Sequence, residues 1–143
     1  MNTKMLLGTV VGGIAAFLLG WLIFGIALMS YYESHQIAYE GMTKDSPNLP
    51  LLFIANLLYA SILAVIMHWS KMTGLMKGAV IGAVISGLNT CSIDLYFYSL
   101  LNYFTDFTIV IVDVIVNIVF GAVVGAVIGW MMGMGKNEAA AAS

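Results

Sequence analysis

The chain has 143 residues, 62% of them hydrophobic and 8% charged, with a mean hydropathy of +1.00 and a net charge of -2. A soluble domain carries about 25% charged residues, so this composition excludes a fold that covers itself in water, and lipid is the natural solvent. Five Lys without an Arg exclude a basic surface for nucleic acid, and Cys91, the single cysteine, excludes an internal disulfide or a thiolate metal cluster.

At about 20 apolar residues per span, there is room for four helices and little else. The reading is one all-α transmembrane domain over 1–143, an up-down-up-down four-helix bundle with glycine-rich helix packing. Residues 1–4 form a short polar start. The first span is expected over 5–30. It is too long for a signal-peptide core, and Ala27-Leu28-Met29-Ser30 is not a small-x-small cleavage site, so the span is read as retained. Gly8, Gly12, Ala16 and Gly20, followed by Trp21, form a stripe of small residues along it. Residues 31–50 read as an aqueous loop with a short interfacial turn over 37–42, and Pro47 and Pro50 suit the entry to the next helix.

The second span is expected over 51–69, with Asn56 near its start, Tyr59 and Ser61 midway, and His68-Trp69 at its end. A tight connection near Lys71 leads to a third span over 74–103. The link at 104–106 is so short that a fourth span, over 107–134, must run back antiparallel to it. The alanine-rich tail over 136–143 reads as solvent-exposed, without fixed structure, and is left out of the functional argument. Lys4, Lys71, Lys77 and Lys136 fall on one side of this arrangement, and Lys44 falls alone on the other. The positive-inside rule then puts both termini in the cytoplasm. Tyr31, Tyr32, Tyr98, Tyr103 and Phe104 form an outer aromatic belt, with Trp69 and Trp130 at the inner one.

The third and fourth spans carry two stripes at steps of four, close to one helical turn. On the third the steps fall on Gly74, Gly78, Gly82, Ser86, Thr90, Asp94, Tyr98 and Asn102; on the fourth they fall on Asp113, Asn117, Gly121, Gly125, Gly129 and Gly133. Folded back to back, the glycines meet at one end and Asp94 comes level with Asp113 and Asn117 at the other. With the turn near Phe104, the two acids lie roughly 15 Å and 13 Å below it at 1.5 Å per residue, inside the outer hydrocarbon. Depth places Asn56 at a similar level. A carboxylate there costs a few kcal/mol and usually faces a bundle interior or a cavity. With no Arg in the chain and no Lys at that level, the acids can stay protonated, share a proton, or hold a metal ion or cationic solute.

The functional reading is therefore a proton or small-cation site made by Asp94, Asp113 and Asn117, supported by Asn56 and Thr90, in a pocket between spans two, three and four. Oxygen ligands suit protons, sodium, magnesium or calcium better than zinc or copper; the identity of any metal is left open. The competing reading is a membrane scaffold or accessory subunit whose Asp and Asn side chains only join helices. A third is a lipid- or quinone-binding protein using the same pocket. Gly8, Gly12, Gly20, Gly78, Gly82, Gly121, Gly125 and Gly129 are read as packing positions, within the chain or between copies, since a short four-span chain has spare faces for a homodimer.

The remaining polar residues have plainer readings. His68, Trp69 and Lys71 form an interfacial snorkelling cluster. Glu33 and His35 are loop residues that could form an outer gate or a metal pair. Cys91 and the ten methionines fill gaps. No phosphate loop, nucleophile–base pair, His/Cys metal spacing or cofactor motif is present, and an Asp94–Asp113 aspartyl dyad would lack the glycine-framed motifs of intramembrane proteases. An enzyme is not expected. Gly12-Gly13 leading to Gly20-Trp21, the Asp94 to Tyr98 turn, Val112-Asp113-Val114 and Gly125 to Gly129-Trp130 resemble the small four-span bacterial membrane proteins of unknown function. The resemblance implies a bacterial inner-membrane location and brings no activity.

Overall fold

The computed structural model describes residues 2–135. The tail over 136–143, and Lys136 with it, lies outside the described residues. The architecture is an all-α four-helix bundle. Helix α1 (Thr3–Leu22) continues through a π-helical turn at Ile23–Ala27 and is followed by a short α2 (Met29–His35); α3 (Leu49–Ser70), α4 (Leu75–Leu100) and α5 (Thr108–Gly133) complete it. Four helices are long and apolar enough to cross a membrane: α1 with its π turn, α3, α4 and α5.

Local chemistry fixes where these helices begin. The Asn2 side chain accepts from the Lys4 amide at 3.2 Å, and the Asn48 side chain accepts from the Leu51 amide at 3.1 Å. Each satisfies one of the free donors of a first helical turn. Pro50 falls within the first turn of α3, where its missing N–H is not needed. Before α5, the Asp106 carboxylate accepts from the Thr108 amide at 2.7 Å.

Packing alternates the helix directions. Phe17 of α1 meets Phe53 of α3 edge-on at 5.7 Å, and Gly13 lies against Leu57. On its other side α1 seats Met132 and Ile128 of α5 against Gly8 and Gly12. The buried apolar core lies among these three helices, with Ala16, Leu63, Met67, Val124 and Ile128 fully enclosed. Leu58 and Ile62 of α3, Val80, Val84 and Leu88 of α4, and Ile111, Ile115 and Val119 of α5 all point outward and exposed. An apolar exterior at helical spacing is what a lipid-facing surface requires.

The α4–α5 interface is built differently, with backbone against backbone. A Cβ on Gly82 would collide with the Gly121 carbonyl and lie 2.9 Å from the Gly125 Cα. One on Gly78 would collide with the Gly125 carbonyl and lie 2.8 Å from the Gly129 Cα. The Gly74 amide donates across the interface to the Gly129 carbonyl at 2.8 Å. Bare Cα hydrogens facing partner carbonyls at this separation make weak C–H···O contacts. Gly20 differs from the other packing glycines, because its nearest neighbour would be Phe120 at an ordinary 3.8 Å. The tight stripes face inward, so they lend a homodimer no surface.

Three expectations need correction. The first span is not one helix to residue 30: the π turn ends at Leu28 (φ -113°, ψ 6°), and α2 sets off in a new direction. A π turn holds an extra residue, which rotates the succeeding side chains by about 100°. The helical turn expected over 37–42 is found instead at Met29–His35. The third span ends at Leu100 rather than 103, because Leu101 is extended (φ -128°, ψ 145°). The freed segment pairs with the chain after α2: Ile37 donates to Tyr103 at 2.8 Å, Thr105 donates to His35 at 3.0 Å, and Tyr39 Oη donates to Asn102 at 2.5 Å.

Candidate functional site

The register of the α4–α5 interface carries the site. Gly78 opposes Gly125, Gly82 opposes Gly121, and Gly121 also lies against Ser86. Two further turns outward, the same register brings Asp94 opposite Asp113. Larger polar side chains replace glycine here, and a cavity of about 440 Å³ opens between the helices. Thr90, Ile93 and Asp94 line it from α4, and Asp113 and Asn117 from α5. The fourth wall comes from the end of the first span and from α2, through Phe24, Tyr32 and Gln36.

The structure brings together four of the five residues proposed from sequence: Asp94, Asp113, Asn117 and Thr90. Asn56 is not among them. Its amide donates to Leu52 of its own helix at 2.8 Å, and it faces an apolar groove between α1 and α3. Depth alone assigned it to the site, but Asn56 lies on the face of α3 turned towards α1, among Phe17, Leu18 and Trp21. The pocket therefore does not lie between spans two, three and four. Span two reaches this interface near the pocket through Tyr59, whose hydroxyl hydrogen-bonds Ser86 between the pocket and the glycines.

Tyr32 is the residue that sequence reasoning missed. It was expected in the outer aromatic belt, but the π turn and the break at Leu28 swing it inward. Its ring packs edge-on against Phe24 at 5.6 Å, and its hydroxyl donates to Asp113 Oδ1. Asn117 Nδ2 donates to the same oxygen at 3.1 Å and to the Asp113 carbonyl at 2.9 Å. Asp113 is thus held by two donors from two helices. Burial, then the hydrogen bond to Asp113, pushes the Tyr32 hydroxyl well above the ordinary tyrosine range, so it stays protonated as a donor.

Asp94 is built on the opposite plan. It is 6% exposed, and its Oδ2 has no hydrogen-bond partner among the described residues. The rest of its carboxyl lies within hydrogen-bonding reach of Asp113, close enough for the two acids to share a proton. Among the described residues no lysine lines the cavity; Lys4 sits at the other end of the bundle, where Nζ donates to the Met134 carbonyl at 2.5 Å. A buried carboxylate oxygen without a donor is expensive, and it marks a place where a proton or a ligand belongs.

The outer rim adds its own electrostatics. Burial, then the charges of Asp113 and Asp94, raises the Tyr103 hydroxyl. Hydrogen bonding to Thr108 lowers the exposed Asp106 carboxyl. His35 stacks on Tyr31 at 4.1 Å, with its Nδ1 2.8 Å from the Tyr31 carbonyl, and Glu33 is exposed. Among the described residues no group of three or more His, Cys, Asp or Glu converges on one point. No family model, curated protein or solved structure matches the chain.

Proposed function

We propose that this chain is a small transport protein of the bacterial inner membrane, with both termini in the cytoplasm, in which Asp94 and Asp113 take up protons or cations from the outer side. One observation carries the reading: Asp94, buried and with an oxygen lacking any donor, shares a cavity with a second acid and no basic residue. The outer-leaflet position follows from the lysine distribution. Asp113, anchored by Tyr32 and Asn117, serves as the fixed half of the pair, and Asp94 is the half that exchanges. That division suits a carrier, because a fully satisfied network gains nothing from a ligand.

The anchoring of Asp113 also favours a second reading, in which the polar cluster joins helices and moves nothing. Reconstitution separates the two. Under imposed proton, sodium or potassium gradients, proteoliposomes should show flux that Asp94→Asn abolishes and Asp113→Asn reduces. Wild-type protein that is folded yet passes none of these ions would leave the scaffold reading standing. Flux unchanged in Asp94→Asn would remove the acid pair from the mechanism.

A further inference from the structure

We infer that the acidic cavity is shaped for a small organic ammonium ion, a protonated primary amine with an apolar body, rather than for a bare inorganic cation. The inference rests on the cation-handling reading above and narrows it to a chemical class. Its first support is size. The cavity of about 440 Å³ falls within the usual range of small-molecule pockets. At about 30 Å³ per water molecule, it holds far more than a dehydrated metal ion would fill.

The second support is the composition of the walls. A metal ion without its water wants a shell of about six oxygens converging on one point; Asp94 and Asp113 bring two carboxylates, and Thr90, Gln36 and Asn117 add polar side chains around a space much wider than such a shell. One Asp113 oxygen is already occupied by Tyr32 and Asn117. The same wall also carries side chains a metal ion does not use: the aromatic rings of Phe24 and Tyr32, and the aliphatic side chain of Ile93. Aromatic faces attract organic cations, and an aliphatic wall accepts the carbon skeleton that comes with them.

The third support concerns direction. The unmet need in the cavity is a donor for Asp94 Oδ2, on a side chain more than nine-tenths buried. A primary ammonium brings three N–H donors on one positive centre. One can reach Asp94 Oδ2, and the positive centre then also lies beside the neighbouring Asp113. A quaternary ammonium brings charge without a donor and would leave the Asp94 oxygen unpaired, so the site should prefer the primary amine. Ile93 is exposed at the outer surface of α4, which gives an amphipathic cation a way in from the outer leaflet.

Isothermal titration of the full chain in nanodiscs tests this, with benzylammonium, benzyltrimethylammonium, sodium, potassium, magnesium and calcium as separate probes. Saturable benzylammonium binding is expected, weakened roughly tenfold or more by Asp94→Asn. Phe24→Leu keeps every charge and should weaken it about threefold. Benzyltrimethylammonium should bind more weakly than benzylammonium. Sodium, potassium, magnesium or calcium binding more tightly than benzylammonium would overturn the inference while leaving a cation carrier. Proton flux in liposomes with no amine binding would also overturn it and leave a proton carrier. Absence of both binding and flux in folded protein would remove the two proposals together.

Discussion

The inner and outer halves of the α4–α5 interface share one register and follow opposite designs. In the inner half, Gly78 and Gly82 press against Gly121, Gly125 and Gly129, so closely that no side-chain atom fits between the backbones. In the outer half, the same stripe carries Thr90 and Asp94 against Asp113 and Asn117, and an open cavity lies between the helices with Tyr32 of α2 in its wall. The contrast teaches that in lipid, where the hydrophobic effect does not drive helices together, close backbone approach holds one end shut. That rigid end lets the other carry an incompletely satisfied acid.

The largest effect should come from the inner half. Gly82→Val would drive a branched side chain into the Gly121 carbonyl and should lower stability by about 3 kcal/mol, the upper end of the overpacking range. Gly20→Ala, where space is ordinary, should be neutral or raise stability by about 0.5 kcal/mol. Unfolding in mixed micelles compares them directly, and equal losses at both positions would break the contrast.

Next come the two acids. Asp113→Ala leaves the Tyr32 hydroxyl and the Asn117 amide without their acceptor and should cost about 2 kcal/mol. Asp94→Asn removes a buried group that lacks a donor, so the same titration should show no loss or a small gain. A large loss at Asp94 would mean that this carboxyl is already satisfied. A smaller loss than that of Asp113→Ala belongs to Tyr32→Phe, which keeps the ring against Phe24 and removes one hydrogen bond, worth about 1 kcal/mol. A change near zero would show that α2 is not tied to the outer half through this hydroxyl.

Much of this arrangement was legible in the residues, and the legible part has a physical signature. Glycine at every fourth position from Gly74 and from Gly121 sets the register of one helix pair, and that register brings Asp94 to Asp113. Such a stripe encodes which face a residue occupies as well as its depth. Asn56 had depth alone, since rise per residue gives height but not the neighbour that a face meets, and its face of α3 turns towards α1 rather than the acids. Tyr32 was illegible for another reason. Its inward turn depends on the π turn at Ile23–Ala27 and the break at Leu28, within an unbroken apolar run whose pattern does not distinguish i+4 from i+5 bonding. The early end of α4 at Leu100 was hidden likewise, because its extended continuation is stabilised by residues 35–39, far away in sequence.

The seam between α1 and α5, where Gly8 receives Met132 and Gly12 receives Ile128, has a consequence for how the chain is made. As the ribosome delivers the protein, α1 can join α3 early, and α4 can later zip onto α5 as a separate hairpin. The two half-assemblies lock fully only once α5 is in place, so until then α1 sits in the bilayer with one flank bare. Assembly therefore depends on two helices far apart in sequence, and whatever delays α5 leaves that flank open to unsuitable company.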